Sequence, residues 1–317
     1  MDFISYLQVL AGFVLLFLCG NWLVKGGVEL SRHFRVSPLV AGLTIVAFGT
    51  SAPELFVSVK AGFTDSPDIS IGNVVGSNIA NVALILGAVA LVFPIRVKRP
   101  SVIFDWMVMM GSFLLLFFFL LVTGKEVIQR GEGIVFVALI VGYVLWSVIS
   151  SRRKSARNNE IFPTPEKGIW VSVGLVGASV VGLYYGAEWL VAGASDLAIG
   201  WGVSERVVGI SIVAFGTSVP ELATSLVASF KKEMDISIGN IIGSNIFNVF
   251  SVLGITAILK PLEVSPRVVS VDMVWMVAVS VLLILFLIPL RQGVLTRWKG
   301  GILLLVYIVY IWILFIS

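Results

Sequence analysis

The sequence predicts an all-α membrane protein of ten transmembrane helices, arranged as two five-helix repeats of inverted topology with both termini outside. Three observations carry that expectation. Of 317 residues, 58% are hydrophobic and only 13% charged, and the mean hydropathy is +1.04, a composition foreign to soluble domains. The apolar residues gather into runs of about 20, the length a helix needs to cross a bilayer. Two stretches of the chain also occur twice, at a constant separation of 167 positions.

The apolar runs lie at roughly 3–24, 38–60, 70–93, 102–122, 133–150, 169–192, 205–229, 237–259, 270–289 and 299–316. They lack the period-2 alternation of barrel strands, which leaves helices as the way to satisfy the backbone in lipid. The chain begins Met-Asp, with no basic leader or small-residue cleavage pattern, so the first run reads as a retained span. A single cysteine, Cys19, can form no internal disulfide.

The one long polar connector is 151–167, SRRKSARNNEIFPTPEK. It divides the chain into a first repeat, 1–150, and a second, 168–317. With ten spans, 16 of the 22 Lys and Arg residues fall on the connector's side and 6 on the other. That bias puts the connector in the cytoplasm and both termini outside. The net charge of +4 is thus a topology signal at a cell membrane and not a nucleic-acid patch. Five crossings per half is an odd number, so the duplicated segments enter the membrane from opposite sides. Transporters built this way place their sites near the midplane, between the repeats.

The duplicated stretches hold the polar residues. Residues 36–55, VSPLVAGLTIVAFGTSAPEL, match 203–222, VSERVVGISIVAFGTSVPEL, at 14 of 20 positions. Residues 68–81, DISIGNVVGSNIAN, match 235–248, DISIGNIIGSNIFN, at 11 of 14. Ser37-Pro38 reads as an N-cap followed by proline at the first helical position. Pro53 and Pro220 have no N–H and deprive the carbonyls of Gly49 and Gly216 of a helical donor. Glu54 and Glu221 directly follow those prolines, and a carboxylate at such depth costs at least a few kcal/mol and marks function.

Ala47, Thr50, Ser51 and Glu54 share one helix face by i, i+3, i+4, i+7 spacing, and Ala214, Thr217, Ser218 and Glu221 repeat it. On the next helix of each half, Asn73, Ser77 and Asn81 are mirrored by Asn240, Ser244 and Asn248. Gly72 and Gly76, like Gly239 and Gly243, have the spacing that lets helices approach closely. The pooled faces hold two carboxylates, hydroxyls and amides, with no His, Cys or basic group. An all-oxygen set suits hard cations, and calcium takes 6–8 oxygens. The flanking acids, Asp105 with Asp272 and Glu29 with Asp196, read as capping or interfacial groups.

The paired motifs GTSAPE with GNVVGSNIAN and GTSVPE with GNIIGSNIFN resemble the two alpha-repeats of the sodium/calcium exchanger family, prokaryotic type. The resemblance implies an antiporter of sodium and calcium ions working by alternating access, with four clustered ion sites and no cofactor. It implies that calcium and sodium share Glu54 and Glu221, and that Thr50 and Thr217 join calcium. Ala47, Ser51 and Ser77, with Ala214, Ser218 and Ser244, would complete flanking sodium sites, and Asn81 and Asn248 would close the centre. Family members often carry Asp at one of those last positions; here both are Asn, which argues against potassium dependence. A proton-coupled exchanger and a passive cation channel are the alternatives. An enzyme is disfavoured, since His33 is the sole histidine and sits in a loop. The partners implied are the two ions and the bilayer, with no nucleic acid and no obligate protein.

Overall fold

A computed structural model describes residues 3–63, 67–96, 99–123, 126–159, 161–203, 208, 214–287 and 294–316. The described chain is helical apart from four two-residue strands. In order, α1 is Phe3–Phe34, α2 Pro38–Thr50 and α3 Ala52–Phe63, and α4 spans 67–92. Then come α5 (Arg99–Thr123), α6 (Arg130–Arg157) and α7 (Ile169–Gly200). The second half continues with α8 (Ala214–Gly216), α9 (Val219–Phe230), α10 (Met234–Leu259), α11 (Val268–Leu287) and α12 (Arg297–Ile316).

Among the described residues, eight helices are long and apolar enough to cross a membrane, and the bent pair α2–α3 makes a ninth. The expected span at 205–229 lies partly outside the described residues; its described part is Val208 with α8 and α9.

Several helices outrun their apolar stretches. The expected spans 3–24 and 169–192 are the cores of two 32-residue helices, α1 and α7. At 1.5 Å per residue each is roughly 48 Å long, well beyond the hydrocarbon thickness. Helix α6 runs past 150 to Arg157, where Lys154 and Arg157 in the last turn favour the helix dipole. Hydropathy reports where lipid ends, whereas capping and packing decide where a helix ends.

The core sits on α4 and α10. Their membrane-crossing windows are 78% and 89% buried, against 22–28% for α1, α6, α7 and α12. Helix α10 lies against α2 with backbone nearly in contact: a Cβ on Gly243 would stand 2.6 Å from the Leu43 carbonyl oxygen and 2.7 Å from the Ala47 Cβ. On their outer sides α10 meets α6 at Gly254 and Gly133, and α4 meets α12 at Gly87 and Gly300. These two contacts are the same contact displaced by 167 residues.

The strands repeat that exchange. β1 (Ile95–Arg96) pairs antiparallel with β4 (Val294–Leu295), and β2 (Val127–Ile128) with β3 (Leu262–Glu263). Adding 167 to β1 gives β3, and adding it to β2 gives β4, so each ribbon takes one strand from each half.

Candidate cation-binding site

Ser37 caps α2 as its sequence suggests: its hydroxyl accepts the Val40 N–H at 3.4 Å, with Pro38 in the first turn. The helix then breaks by 44° between Thr50 and Ala52, with Ser51 at φ −83°, ψ 3°. Pro53 is the cause, because the turn it disrupts is the one that ends at Ser51. The second copy follows: α8 stops at Gly216, and Ser218 at φ −88°, ψ 0° leads into α9 with Pro220 in its first turn. Each break delivers a Thr, a Ser and a Glu in succession to the interior.

Four π-helical stretches among the described residues were not legible in the sequence. One, Gly42–Val46, precedes Ala47. Two others begin at the amide positions, Ala80–Ile85 just before Asn81 and Asn248–Leu253 at Asn248 itself. The fourth, Val268–Asp272, opens α11. A π-turn inserts an extra residue and resets the helix face, and such turns concentrate at functional sites. The regular i, i+4, i+8 face expected for the Asn-Ser-Asn series is therefore only an approximation.

The residues expected at the site converge. Glu54, Glu221, Thr50, Ser218, Ser244, Asn81, Asn248 and Ala47 have no solvent exposure, and Ser51 and Ser77 are buried. Thr217 is half-buried. Ala214 opens α8, and its side chain lies outside what is described.

The contacts cross between halves in mirrored pairs. Thr50 Oγ1 donates to Asn240 Oδ1 at 3.0 Å, and Thr217 Oγ1 to Asn73 Oδ1 at 3.1 Å. Thr50 also meets Ser244 Oγ at 3.3 Å, and Thr217 meets Ser77 Oγ at 3.4 Å. Behind them, Asn73 Nδ2 donates to Ser58 Oγ at 3.2 Å and Asn240 Nδ2 to Ser225 Oγ at 3.0 Å. Both ends of Asn73 and Asn240 are thus engaged, and these amides hold the threonines in place. Ser58 and Ser225 went unnoticed in the sequence, although they too stand 167 apart, one turn beyond each glutamate.

The asparagines toward the centre behave differently. Asn81 Nδ2 donates to Asn245 Oδ1, and Asn248 Nδ2 to Asn78 Oδ1, both at 3.1 Å. The Oδ1 atoms of Asn81 and Asn248 have no hydrogen-bond partner among the described residues, nor do Ser218 Oγ, Glu221 Oε2 and both carboxylate oxygens of Glu54. Glu221 Oε1 accepts from Ser51 at 3.2 Å and from Ser244 at 3.4 Å. Buried polar groups are normally paired. A cluster of bare acceptor oxygens, with no donor aimed at most of them, is complementary to a cation.

Of the flanking acids expected to be capping or interfacial groups, Asp196 is exposed near the end of α7, whereas Asp105 and Asp272 pair with tyrosines. Asp105 accepts the Tyr143 hydroxyl at 3.0 Å and Asp272 that of Tyr310 at 3.1 Å, side chains that reach across between helices. Glu29 ties α1 to the connector by accepting from the Glu166 and Lys167 backbone N–H groups and from Arg32. Asp105 and Asp272 stand in their own hydrogen-bonded pairs, and Glu29 is taken up by the connector.

Comparison with known proteins bears on the same arrangement. The profile described as sodium/calcium exchanger protein matches residues 4–149 and 171–316. The chain is 30% identical to the sodium/calcium exchanger MaX1 of Methanosarcina acetivorans, covering 98% of this chain and 99% of that protein. It is 34% identical to the membrane protein MJ0091 of Methanocaldococcus jannaschii over 95% of each. Among solved structures, it superposes on the sodium-calcium exchanger NCX_Mj soaked with 2.5 mM Na+ and 0.1 mM Ca2+ with a TM-score of 0.80, at 32% identity over 98% of both chains. Matched in sequence across both halves and in structure from end to end, this chain belongs to the sodium/calcium exchanger protein family.

Proposed function

We propose that this protein is a secondary antiporter that exchanges sodium for calcium by alternating access, through one cluster of cation sites between its two halves. One observation carries the site assignment: the fully buried oxygens of Glu54, Glu221, Ser218, Asn81 and Asn248 that lack partners among the described residues. Glu54 and Glu221 supply two negative charges, enough to neutralise one calcium ion or two sodium ions. Thr50 and Thr217 complete the calcium position. Ala47, Ser51 and Ser77 with Ala214, Ser218 and Ser244 form the flanking sodium positions, and Asn81 and Asn248 line the centre with neutral oxygens. Because both ions need the same two carboxylates, they compete, and alternating access turns that competition into exchange. An ion shifts the equilibrium between inward and outward states only by its differential affinity for them.

The ten-span inverted arrangement belongs to this reading and has its own support. Strands that hydrogen-bond to each other lie on one side of the bilayer, so an even number of crossings separates them. Between β1 and β4 stand the five long helices α5, α6, α7, α10 and α11; the segment 205–230 supplies the sixth. Between β2 and β3 stand α6, α7 and α10, and the same segment again makes the number even. The bent pair α2–α3 crosses once by the same logic, because Arg152 Nε donates to the Phe34 carbonyl at 2.7 Å and His33 meets the Lys167 carbonyl at 2.7 Å. Residues 1–150 and 168–317 then each cross five times, with 151–167 cytoplasmic and the termini outside.

Isotopic calcium uptake into sodium-loaded proteoliposomes tests the function. We expect uptake driven by an outward sodium gradient, weak with potassium in place of sodium and insensitive to collapse of a proton gradient. Calcium flux that persists without a counter-ion means a channel, and flux that follows the proton gradient means a proton-coupled exchanger. For topology, an impermeant thiol reagent should fail to label Arg153→Cys in intact cells carrying Cys19→Ser; ready labelling reverses the orientation.

A further inference from the structure

Asn78 and Asn245 belong to none of the spacing patterns that pick out the site, yet they stand at its centre. Asn78 is on α4 and Asn245 on α10, 167 residues apart and both buried. Each engages both ends of its amide. Asn78 Nδ2 points at the thioether of Met276, 3.6 Å away, and Asn78 Oδ1 accepts from Asn248 Nδ2 at 3.1 Å. Asn245 Nδ2 points at the thioether of Met109, 3.4 Å away, and its Oδ1 accepts from Asn81 Nδ2 at 3.1 Å. The series thioether, amide, amide therefore runs in one direction in each half and ends on a bare oxygen of Asn248 or Asn81.

We propose that Asn78 and Asn245 are positioning residues that turn the amide oxygens of Asn248 and Asn81 into the cation cluster. A side-chain amide carries a donor end and an acceptor end. With its NH2 group held by the facing asparagine, the site amide can offer only its carbonyl to the interior. Released from that hold, it could rotate and present N–H donors to Glu54 and Glu221, satisfying the carboxylates itself and competing with the cation. The donor end of Asn78 or Asn245 faces a sulfur, a weak acceptor, which leaves its carbonyl as the end offered to the neighbouring site amide. The consequence is specific to a centre built from two asparagines: a carboxylate at either position would need no such orientation, since both of its ends accept.

This inference rests on the exchange reading for the identity of the ion and can fail independently of it. The test is calcium binding to detergent-solubilised protein by titration calorimetry, alongside KM and kcat for sodium-driven calcium uptake. Asn78→Leu and Asn245→Leu keep the volume and remove the acceptor. We expect each to weaken calcium binding and raise its KM about tenfold, with kcat changed less than threefold. Asn78→Asp and Asn245→Asp keep an acceptor for the site amide and should bind calcium at least as tightly as the parent. A purely structural role would lower thermal stability in all four variants without separating Leu from Asp. Leucine variants that bind calcium within twofold of the parent overturn the proposal, as do aspartate variants that bind calcium about tenfold more weakly than the parent; the second criterion stands if the leucine variants do not fold. A parent protein that binds calcium but does not couple its flux to sodium overturns the exchange reading alone, and one that binds neither ion overturns both.

Discussion

Glu54 and Glu221 occupy equivalent places in nearly identical motifs, yet the structure treats them differently. Glu221 accepts hydrogen bonds from Ser51 of the other half and Ser244 of its own. The matching donors for Glu54 are Ser218 and Ser77, but Ser218 Oγ and both Glu54 oxygens lack partners among the described residues, and Ser77 meets Thr217 instead. The surrounding threonine–asparagine pairs remain symmetric to within 0.1 Å, at 3.0 Å and 3.1 Å. In hydrogen bonding the asymmetry lies at the carboxylates and their serines, whereas in burial it extends to Thr217 and Asn73, half-buried where Thr50 and Asn240 have no exposure. Sequence alone would make the two glutamates equal; the difference teaches that near-identical motifs can stand in unequal surroundings once the two halves are packed together.

The largest expected effect comes from neutralising either member of the pair. Glu54→Gln and Glu221→Gln should each reduce calcium transport at least about 100-fold, since either change leaves a buried calcium ion half neutralised, a loss of about several kcal/mol. Reconstituted uptake checks this, and near-normal flux in both variants removes the carboxylates from the site.

Ser51→Ala and Ser218→Ala probe the difference itself. A hydrogen bond to a charged group is worth about 1.5–3 kcal/mol, so Ser51→Ala should raise the calcium KM about tenfold or more. Ser218→Ala removes an unpartnered hydroxyl and should cost less, about threefold by the same scale. Equal KM values for the two would mean that the asymmetry averages out over the transport cycle.

Packing around the two halves gives a smaller effect. Gly243→Ala would drive a methyl group into the Leu43 carbonyl and the Ala47 Cβ, at a cost of about 1–3 kcal/mol. It should lower the thermal midpoint and disturb the Ala47 end of the site. Gly301, whose added Cβ would find its nearest neighbour 3.8 Å away, serves as the control, and Gly301→Ala should leave the midpoint unchanged or slightly raised.

The smallest effect belongs to the peripheral acids. Tyr143→Phe and Tyr310→Phe each remove one donor to a buried aspartate, at about 1–3 kcal/mol of stability, and should leave the calcium KM unchanged. A shifted KM in either variant would bring Asp105 or Asp272 into the transport pathway.

The sequence by itself determined the membrane class, the helical architecture, the duplication and the oxygen-only chemistry of the site. All of these follow from local patterns: apolar run length, 3.6-residue periodicity, proline position and repetition at a fixed offset. Every residue expected at the site and described with its side chain is buried except Thr217, which is half-buried. Tertiary structure alone decided which faces meet. Spacing tells that Thr50 and Glu54 share a side of one helix, but not that Thr50 will meet Asn240, 190 residues on. It does not reveal that Asn73 and Asn240 serve the threonines while Asn81 and Asn248 keep oxygens free, because an amide's role depends on which partner holds each end. The π-turns and the inequality of the two glutamates lie deeper still. Two of the π-turns, Ala80–Ile85 and Asn248–Leu253, recur at nearly equivalent places in the two copies, whereas the inequality of the glutamates is a matter of which side chains reach them, of which two matching motifs carry no record.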